Sequence, residues 1–261
     1  MAGHKTELTL IKLGGSIITD KNKAYTTKPE VIKRLAKELK KSKNPFILAH
    51  GSGSFGHTSA AKYGGKKGYK SKEGIAKVAR DAMEINRIVM DILVEEGIAA
   101  VSFRPMSMIL ASGGKIENNF FETIELAFNQ GLIPVVYGDV IWDKKWKSTI
   151  YSGETILNRI GVYMEKKGFK INKIIQVGET NGVYDGKKNT IPVITRKTWS
   201  DFKKFVFGLK VNDVTGGMEH KIEDALKMAD LGVKTLLING MIKNELSNAL
   251  LGKKTKGTLI Q

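Results

Sequence analysis

At 261 residues, with 41% hydrophobic and 26% charged side chains, the chain has the size and composition of one large globular domain or two small ones. It contains no cysteine, which excludes disulfides, thiolate metal sites and a cysteine nucleophile. No apolar run approaches the roughly 18 residues of a membrane span and residues 1–6 lack an apolar signal core, so a cytoplasmic protein with no membrane partner is expected. The net charge of +17 would suit nucleic-acid binding, anionic substrates or a solvated lysine-rich surface. Lysines such as Lys33, Lys37, Lys40 and Lys41 are scattered over the polar faces of expected helices, which favours the solvated surface and no nucleic-acid partner.

In chain order, residues 8–13 read as a strand ending at Lys12-Leu13-Gly14-Gly15-Ser16, and residues 29–41 as a helix with Pro29 in its first turn. The continuous apolar run 45–49 predicts a strand buried on both faces, and it leads into His50-Gly51-Ser52-Gly53-Ser54-Phe55-Gly56-His57. Residues 71–96 predict a long helix stopped by Gly97. Next come a strand at 98–103, a helix at 120–130, a strand at 132–137 ending at Gly138-Asp139, a helix at 152–166 and a strand at 173–177. Residues 187–208 carry a weaker pattern. A helix is expected over 217–230, opened by Asp213-Val214-Thr215-Gly216-Gly217-Met218, then a strand at 234–238 and a short helix at 243–250.

Strands and helices that alternate in this way predict an α/β fold, a mostly parallel sheet covered by helices on both faces. Ligands of such sheets bind beyond the carboxyl ends of the strands, where the three glycine loops fall. Backbone N–H groups in such loops approach phosphates closely because glycine has no Cβ. Three loops, each with a basic residue in or near it, suggest a pocket for more than one phosphoryl group. No Walker A sequence, no dinucleotide fingerprint after the first strand and no protein-kinase catalytic loop occurs.

Lys12-Leu13-Gly14-Gly15-Ser16 followed by Thr19-Asp20-Lys21 resembles the amino acid kinase superfamily, which includes carbamate, acetylglutamate and uridylate kinases. The loop ending at His57, Tyr137-Gly138-Asp139-Val140, Tyr151-Ser152-Gly153, and Asn212 to Met218 with Lys221 narrow the resemblance to the archaeal-type isopentenyl phosphate kinases. It runs in order from Lys12 to Gly257.

The resemblance implies a three-layer sandwich forming one domain over 1–261, with an acceptor-binding part to about residue 160 and a nucleotide-binding remainder. It implies ATP, magnesium with no protein ligand that can be named, a small isoprenoid monophosphate as acceptor, and a homodimer. Lys12 would lie beneath the transferred phosphoryl group, Lys21 would follow it, Lys221 would contact the nucleotide phosphates, and Asp139 would hold the lysine ammonium groups in place. The nucleotide would also meet Gly14, Gly15, Ser16, Ser52, Glu179, Asn181, Tyr184, Gly216 and Gly217. Gly51, Gly53, Gly56, His57 and Gly153 would hold the acceptor phosphate, which arrives ionised and needs a donor rather than a base. Ile75, Val78 and Met83 would line its hydrocarbon tail, although apolar residues at helical spacing also serve as plain core.

Two segments depart from the family pattern. Ser152-Gly153-Glu154 stands where similar kinases show Ser-Gly-Asp, and Gly178-Glu179-Thr180-Asn181-Gly182-Val183 where they show Thr-Asp-x-Asp-Gly-Val. Glu154 keeps the charge with a longer reach. Two other readings remain. One is a related kinase for another small phosphate, phosphonate or carboxylate; a carboxylate would call for an arginine, which the His57 loop lacks. The other is a basic nucleic-acid-binding or regulatory protein on the kinase fold, which would have no need to keep Lys12, Lys21, Asp139 and Lys221 together.

Overall fold

The computed structural model describes residues 7–65, 67–69, 71–207 and 217–261. The chain begins with β1 (Glu7–Leu13), a single helical turn α1 (Gly15–Ile18) and α2 (Pro29–Leu39). Then come β2 (Phe46–His50), α3 (Gly53–Tyr63) and a minimal hairpin of β3 (Gly64–Gly65) and β4 (Gly68–Tyr69). The long helix α4 (Lys72–Glu95) is followed by β5 (Ala100–Ser102), α5 (Pro105–Met108), a hairpin of β6 (Ile109–Ser112) and β7 (Lys115–Asn119), α6 (Glu122–Asn129) and β8 (Ile133–Tyr137). A hairpin of β9 (Asp139–Asp143) and β10 (Lys147–Tyr151) leads into α7 (Gly153–Lys166) and β11 (Lys170–Gly178). The remainder holds β12 (Val193–Ile194), α8 (Trp199–Phe207), α9 (Gly217–Asp230), β13 (Thr235–Asn239), α10 (Glu245–Leu250) and β14 (Gly257–Ile260).

Eight strands form the central sheet in the order β12-β14-β13-β11-β1-β2-β8-β5. The run from β13 to β5 is parallel throughout, β14 turns antiparallel to β13, and β12 pairs with β14 at the other edge. Because side chains alternate across a strand, β1 sends Ile11 and Leu13 to one face and Leu8 and Leu10 to the other. The first pair packs with Ile32 and Leu35 of α2, Ile85 and Val89 of α4 and Leu246 of α10. The second packs with Ile124 and Phe128 of α6 and Ile156, Leu157 and Ile160 of α7. The outcome is the expected three-layer α/β sandwich. Its two apolar layers explain why the central strands read as unbroken hydrophobic runs.

Local signals set the helix ends. Pro29 opens α2, the Ser71 hydroxyl accepts the Gly74 amide at the start of α4, and Gly97 takes φ 77 just beyond its end. Among the features that the pattern of alternating strands and helices missed, three bear on the site or its surroundings. Helix α3 starts on Gly53-Ser54-Phe55-Gly56, residues of poor helix propensity, so it reads as loop. The β6–β7 and β9–β10 hairpins join into a four-stranded sheet, β10-β9-β6-β7, in which the short, mostly polar β7 and β10 carry little apolar signal. Helix α8 falls in the stretch of weak pattern.

Candidate active site

The loops at the carboxyl ends of β1, β2 and β8 pack backbone to backbone. Gly14 N–H donates to the Val177 carbonyl at 2.8 Å, Gly51 N–H to Leu13 at 3.0 Å and Gly138 N–H to His50 at 3.1 Å. A Cβ on Gly15 would stand 2.5 Å from Gly53 N, and one on Gly153 would collide with the His50 carbonyl oxygen, so no side chain fits at either crossing. Thr19 clasps the first two loops, since its hydroxyl donates to Gly15 O at 2.7 Å and accepts the Ser54 amide at 2.9 Å. His50 is fully buried and stacked on Tyr137 with 5.6 Å between ring centroids. Burial holds its imidazole below the ordinary value, against the opposing hydrogen bonds to Gly51 and Asn86.

Lys12 has the strand parity of Leu8 and Leu10 and therefore emerges on the α7 side of the sheet. There its Nζ lies 3.6 Å from Glu154 Oε2 on the first turn of α7, and both side chains are about nine-tenths buried. Ser152 caps that turn by accepting the Thr155 amide at 3.0 Å. Asp139 meets an arginine, with Arg104 Nε 3.6 Å from Oδ2, and its carboxylate accepts the Val140 amide at 2.8 Å and the Met106 amide at 3.4 Å. Burial pushes the Asp139 carboxyl up to about 6, with the Val140 amide and Arg104 opposing. The Glu154 and Arg104 contacts escaped sequence reasoning. Glu154 stood out only as a departure from the family pattern, and Arg104 carried no motif at all.

A cleft open to solvent is lined by Ser52, Gly56, His57, Ala60, Val78, Ala82, Gly138, Asp139 and Ile150. It thus joins the small-residue loop and His57 at one end to aliphatic side chains at the other. Val78 lies on its wall, and half-buried Ile75 joins the same apolar cluster with Tyr63 and Tyr69 without lining the cleft. Met83 faces outward at 44% exposure, away from the cleft. Residues 75, 78 and 82 form one helical stripe and residue 83 lies off it, so strict periodicity would have selected Ala82.

On the other side of β1, Lys21 is exposed and sits 3.7 Å from Glu179, which also binds Lys28 at 3.0 Å. Lys28 donates to the Ser16 carbonyl at 2.9 Å and so ties the first glycine loop to the segment after β11. In that segment the Tyr184 hydroxyl accepts the Asn181 backbone amide, and the Asn181 side-chain Oδ1 accepts from Asn239 Nδ2 at 3.0 Å. Gly217 opens α9, which carries Lys221 in its second turn; Asp213 to Gly216 lie outside the described residues. Of the four expected catalytic residues, Asp139 lines the cleft, Lys12 stands between β1 and α7, Lys21 sits beside Glu179 and Lys221 lies on α9. Among the described residues, no group of three or more His, Asp or Glu converges in a way that could hold a metal ion, and no helix is long and apolar enough to cross a membrane.

An open α/β sheet whose loops after β1, β2 and β8 interlock through glycines, with buried Lys12 and a cleft beside them, defines a phosphate-handling protein. The chain belongs to the amino acid kinase family, whose sequence model matches residues 7–239. It is 31% identical to the isopentenyl phosphate kinase of Methanothermobacter thermautotrophicus over 97% of this chain and 98% of that one. The isopentenyl phosphate kinase of Methanocaldococcus jannaschii is 34% identical over the same shares. A solved isopentenyl phosphate kinase superposes with a TM-score of 0.80 at 29% identity, covering 97% of this chain and all of the other.

Proposed function

We propose that this protein is an ATP-dependent kinase that converts isopentenyl phosphate into isopentenyl diphosphate. A phosphate oxygen of the acceptor attacks the γ-phosphorus of ATP in line, the bond to the β-phosphate oxygen breaks, and ADP leaves. The observation that carries this reading is the cleft itself. His57 and the Ser52 hydroxyl offer donors for a phosphate, while Val78, Ala82 and Ile150 offer an apolar slot for a short hydrocarbon. The similarity to isopentenyl phosphate kinases over nearly the whole chain supports it.

The reaction asks for positioning and charge neutralisation rather than covalent help from the protein. Lys12, steadied by Glu154, sits beneath the transferred group; Lys21 follows it, and Lys221 neutralises the nucleotide phosphates. Gly15 and Ser16 contribute backbone N–H donors, while Gly14, whose own N–H is committed to the Val177 carbonyl, shapes the loop, and Glu179, Asn181 and Tyr184 border the nucleotide. The part up to about residue 160 holds the acceptor and the remainder the nucleotide. Magnesium travels with the ATP phosphates in this reading, and we assign it no protein ligand. A homodimer belongs to the same reading.

The test is ATP consumption by purified protein with isopentenyl phosphate, dimethylallyl phosphate, fosfomycin, carbamate and N-acetylglutamate, with His57→Ala alongside. Turnover confined to the isoprenoid phosphates and collapsing in His57→Ala is expected. Turnover of another acceptor alone, or activity indifferent to His57, overturns the assignment.

A further inference from the structure

The loop that carries Lys21 is fastened to the acceptor side of the molecule. A Thr19–Thr27 bridge and the Asp20 amide donating to Thr26 O at 2.9 Å close residues 19–27 into a small hairpin. Thr26 N–H donates to Ser54 Oγ at 3.3 Å, which seats the hairpin on α3. Beside Thr26, Tyr25 takes φ 52, a left-handed conformation that a bulky side chain keeps only when its surroundings over-determine it.

The Tyr25 hydroxyl donates to Asp81 Oδ2 at 3.2 Å and accepts from Lys77 Nζ at 3.1 Å, which satisfies both of its roles. Lys77 Nζ also stands 4.7 Å from the centre of the Tyr25 ring, and the ring meets Phe55 edge-on at 5.6 Å. Asp81 is fully buried, with Lys77 2.6 Å from both oxygens and Arg80 3.2 Å from one. A buried carboxylate so held is a rigid anchor.

The anchor has a second face. On α4, Lys77 and Asp81 form one i,i+4 stripe, and Val78 and Ala82, which line the cleft, form the adjacent stripe. Phe55 lies between Ser54 and Gly56, one residue from the cleft wall. One helix and one loop therefore register both the acceptor cleft and the hairpin of Lys21.

We propose that Tyr25 is a positioning residue, whose latch onto Asp81 and Lys77 sets the Lys21 hairpin against the helix that lines the acceptor cleft. The proposal rests on Lys21 acting on the transferred phosphoryl group, as argued above. Tyr25 touches no reacting atom and acts through Lys21.

Tyr25→Phe keeps the ring against Phe55 and removes only the hydroxyl. It is expected to lower kcat about tenfold, because a loose catalytic group loses its alignment, with the KM for isopentenyl phosphate changed less than about twofold. In a Lys21→Ala background the same substitution is expected to cost nothing further. A purely structural role would make the two losses multiply, and that result, or a kcat within about twofold of wild type, overturns the proposal. Hydrogen exchange supplies a readout independent of turnover, with the Asp20 amide expected to exchange at least about tenfold faster in Tyr25→Phe. Unchanged exchange overturns the latch. A wild-type protein that fails to phosphorylate isopentenyl phosphate overturns the proposed function instead, and the exchange measurement still judges the latch.

Discussion

Glu154 and Lys12, 142 positions apart in the chain, meet where the carboxyl end of β1 faces the first turn of α7, with 3.6 Å between Oε2 and Nζ. Glu154 Oε1 has no hydrogen-bond partner among the described residues, so the carboxylate depends heavily on this contact. Breaking a buried pair from one side leaves an uncompensated charge and costs on the order of 3 kcal/mol, whereas removing both charges costs far less. Glu154→Gln is therefore expected to lower the thermal midpoint and to reduce kcat at least about tenfold, because Lys12 is no longer held. Lys12→Met with Glu154→Gln is expected to recover most of the stability and none of the activity. Differential scanning calorimetry beside steady-state kinetics separates the two effects.

Much of this site is legible in residue order. Leu8, Leu10 and Lys12 alternate with Ile11 and Leu13, so the side of the sheet on which Lys12 emerges can be read from parity alone. The glycine loops announce themselves because only glycine permits the contacts at Gly15 and Gly153. The partners of the charges stay hidden. Nothing local connects position 12 to 154, or Asp139 to Arg104, since those contacts exist only once the layers have closed. Helix α3 was hidden for a different reason, because the glycines and serines that serve the site are the residues that disguise a helix start.

Asp139 gives a pH prediction. Its folded carboxyl is pushed up to about 6 by burial, above its ordinary 3.8. Between those values the native state binds more protons than the unfolded chain, so this group's contribution to stability falls as pH rises from about 4 to about 6 and stays low above that. Asp139→Asn removes the ionisation. It is expected to raise the unfolding free energy at pH 7.5 by up to about 3 kcal/mol, an advantage that fades toward pH 4. Urea titrations of both proteins at pH 4, 6 and 7.5 check it. Equal differences at all three values would sink the burial argument.

Gly15 tests the loop crossing. The added methyl group of Gly15→Ala stands 2.5 Å from Gly53 N, a backbone atom that cannot swing aside as a side-chain tip can. The two loops must part by a sizeable fraction of an ångström. Misplacement on that scale is expected to cost about 100-fold in kcat/KM, with the strand pairings of β1 and the far-ultraviolet circular dichroism retained. Near-normal kcat/KM in Gly15→Ala would mean that the loops tolerate separation.

The acceptor cleft is located most directly by two neighbours on α4. Ala82 lines it and Met83, the next residue, is 44% exposed on the outer face. Ala82→Leu adds three carbons to the cleft wall beside Val78 and Ile150 and is expected to raise the acceptor KM at least about tenfold. The KM for ATP is expected to stay within about twofold, because the nucleotide does not share that wall in the proposed arrangement. Met83→Ala is expected to leave both constants unchanged and stability within about 0.5 kcal/mol, as surface substitutions usually do. The pair discriminates because helical rotation separates two adjacent residues by about 100°, so one position can touch the acceptor while the next cannot. An effect of Met83→Ala on acceptor KM as large as that of Ala82→Leu would place the hydrocarbon on the other face of α4.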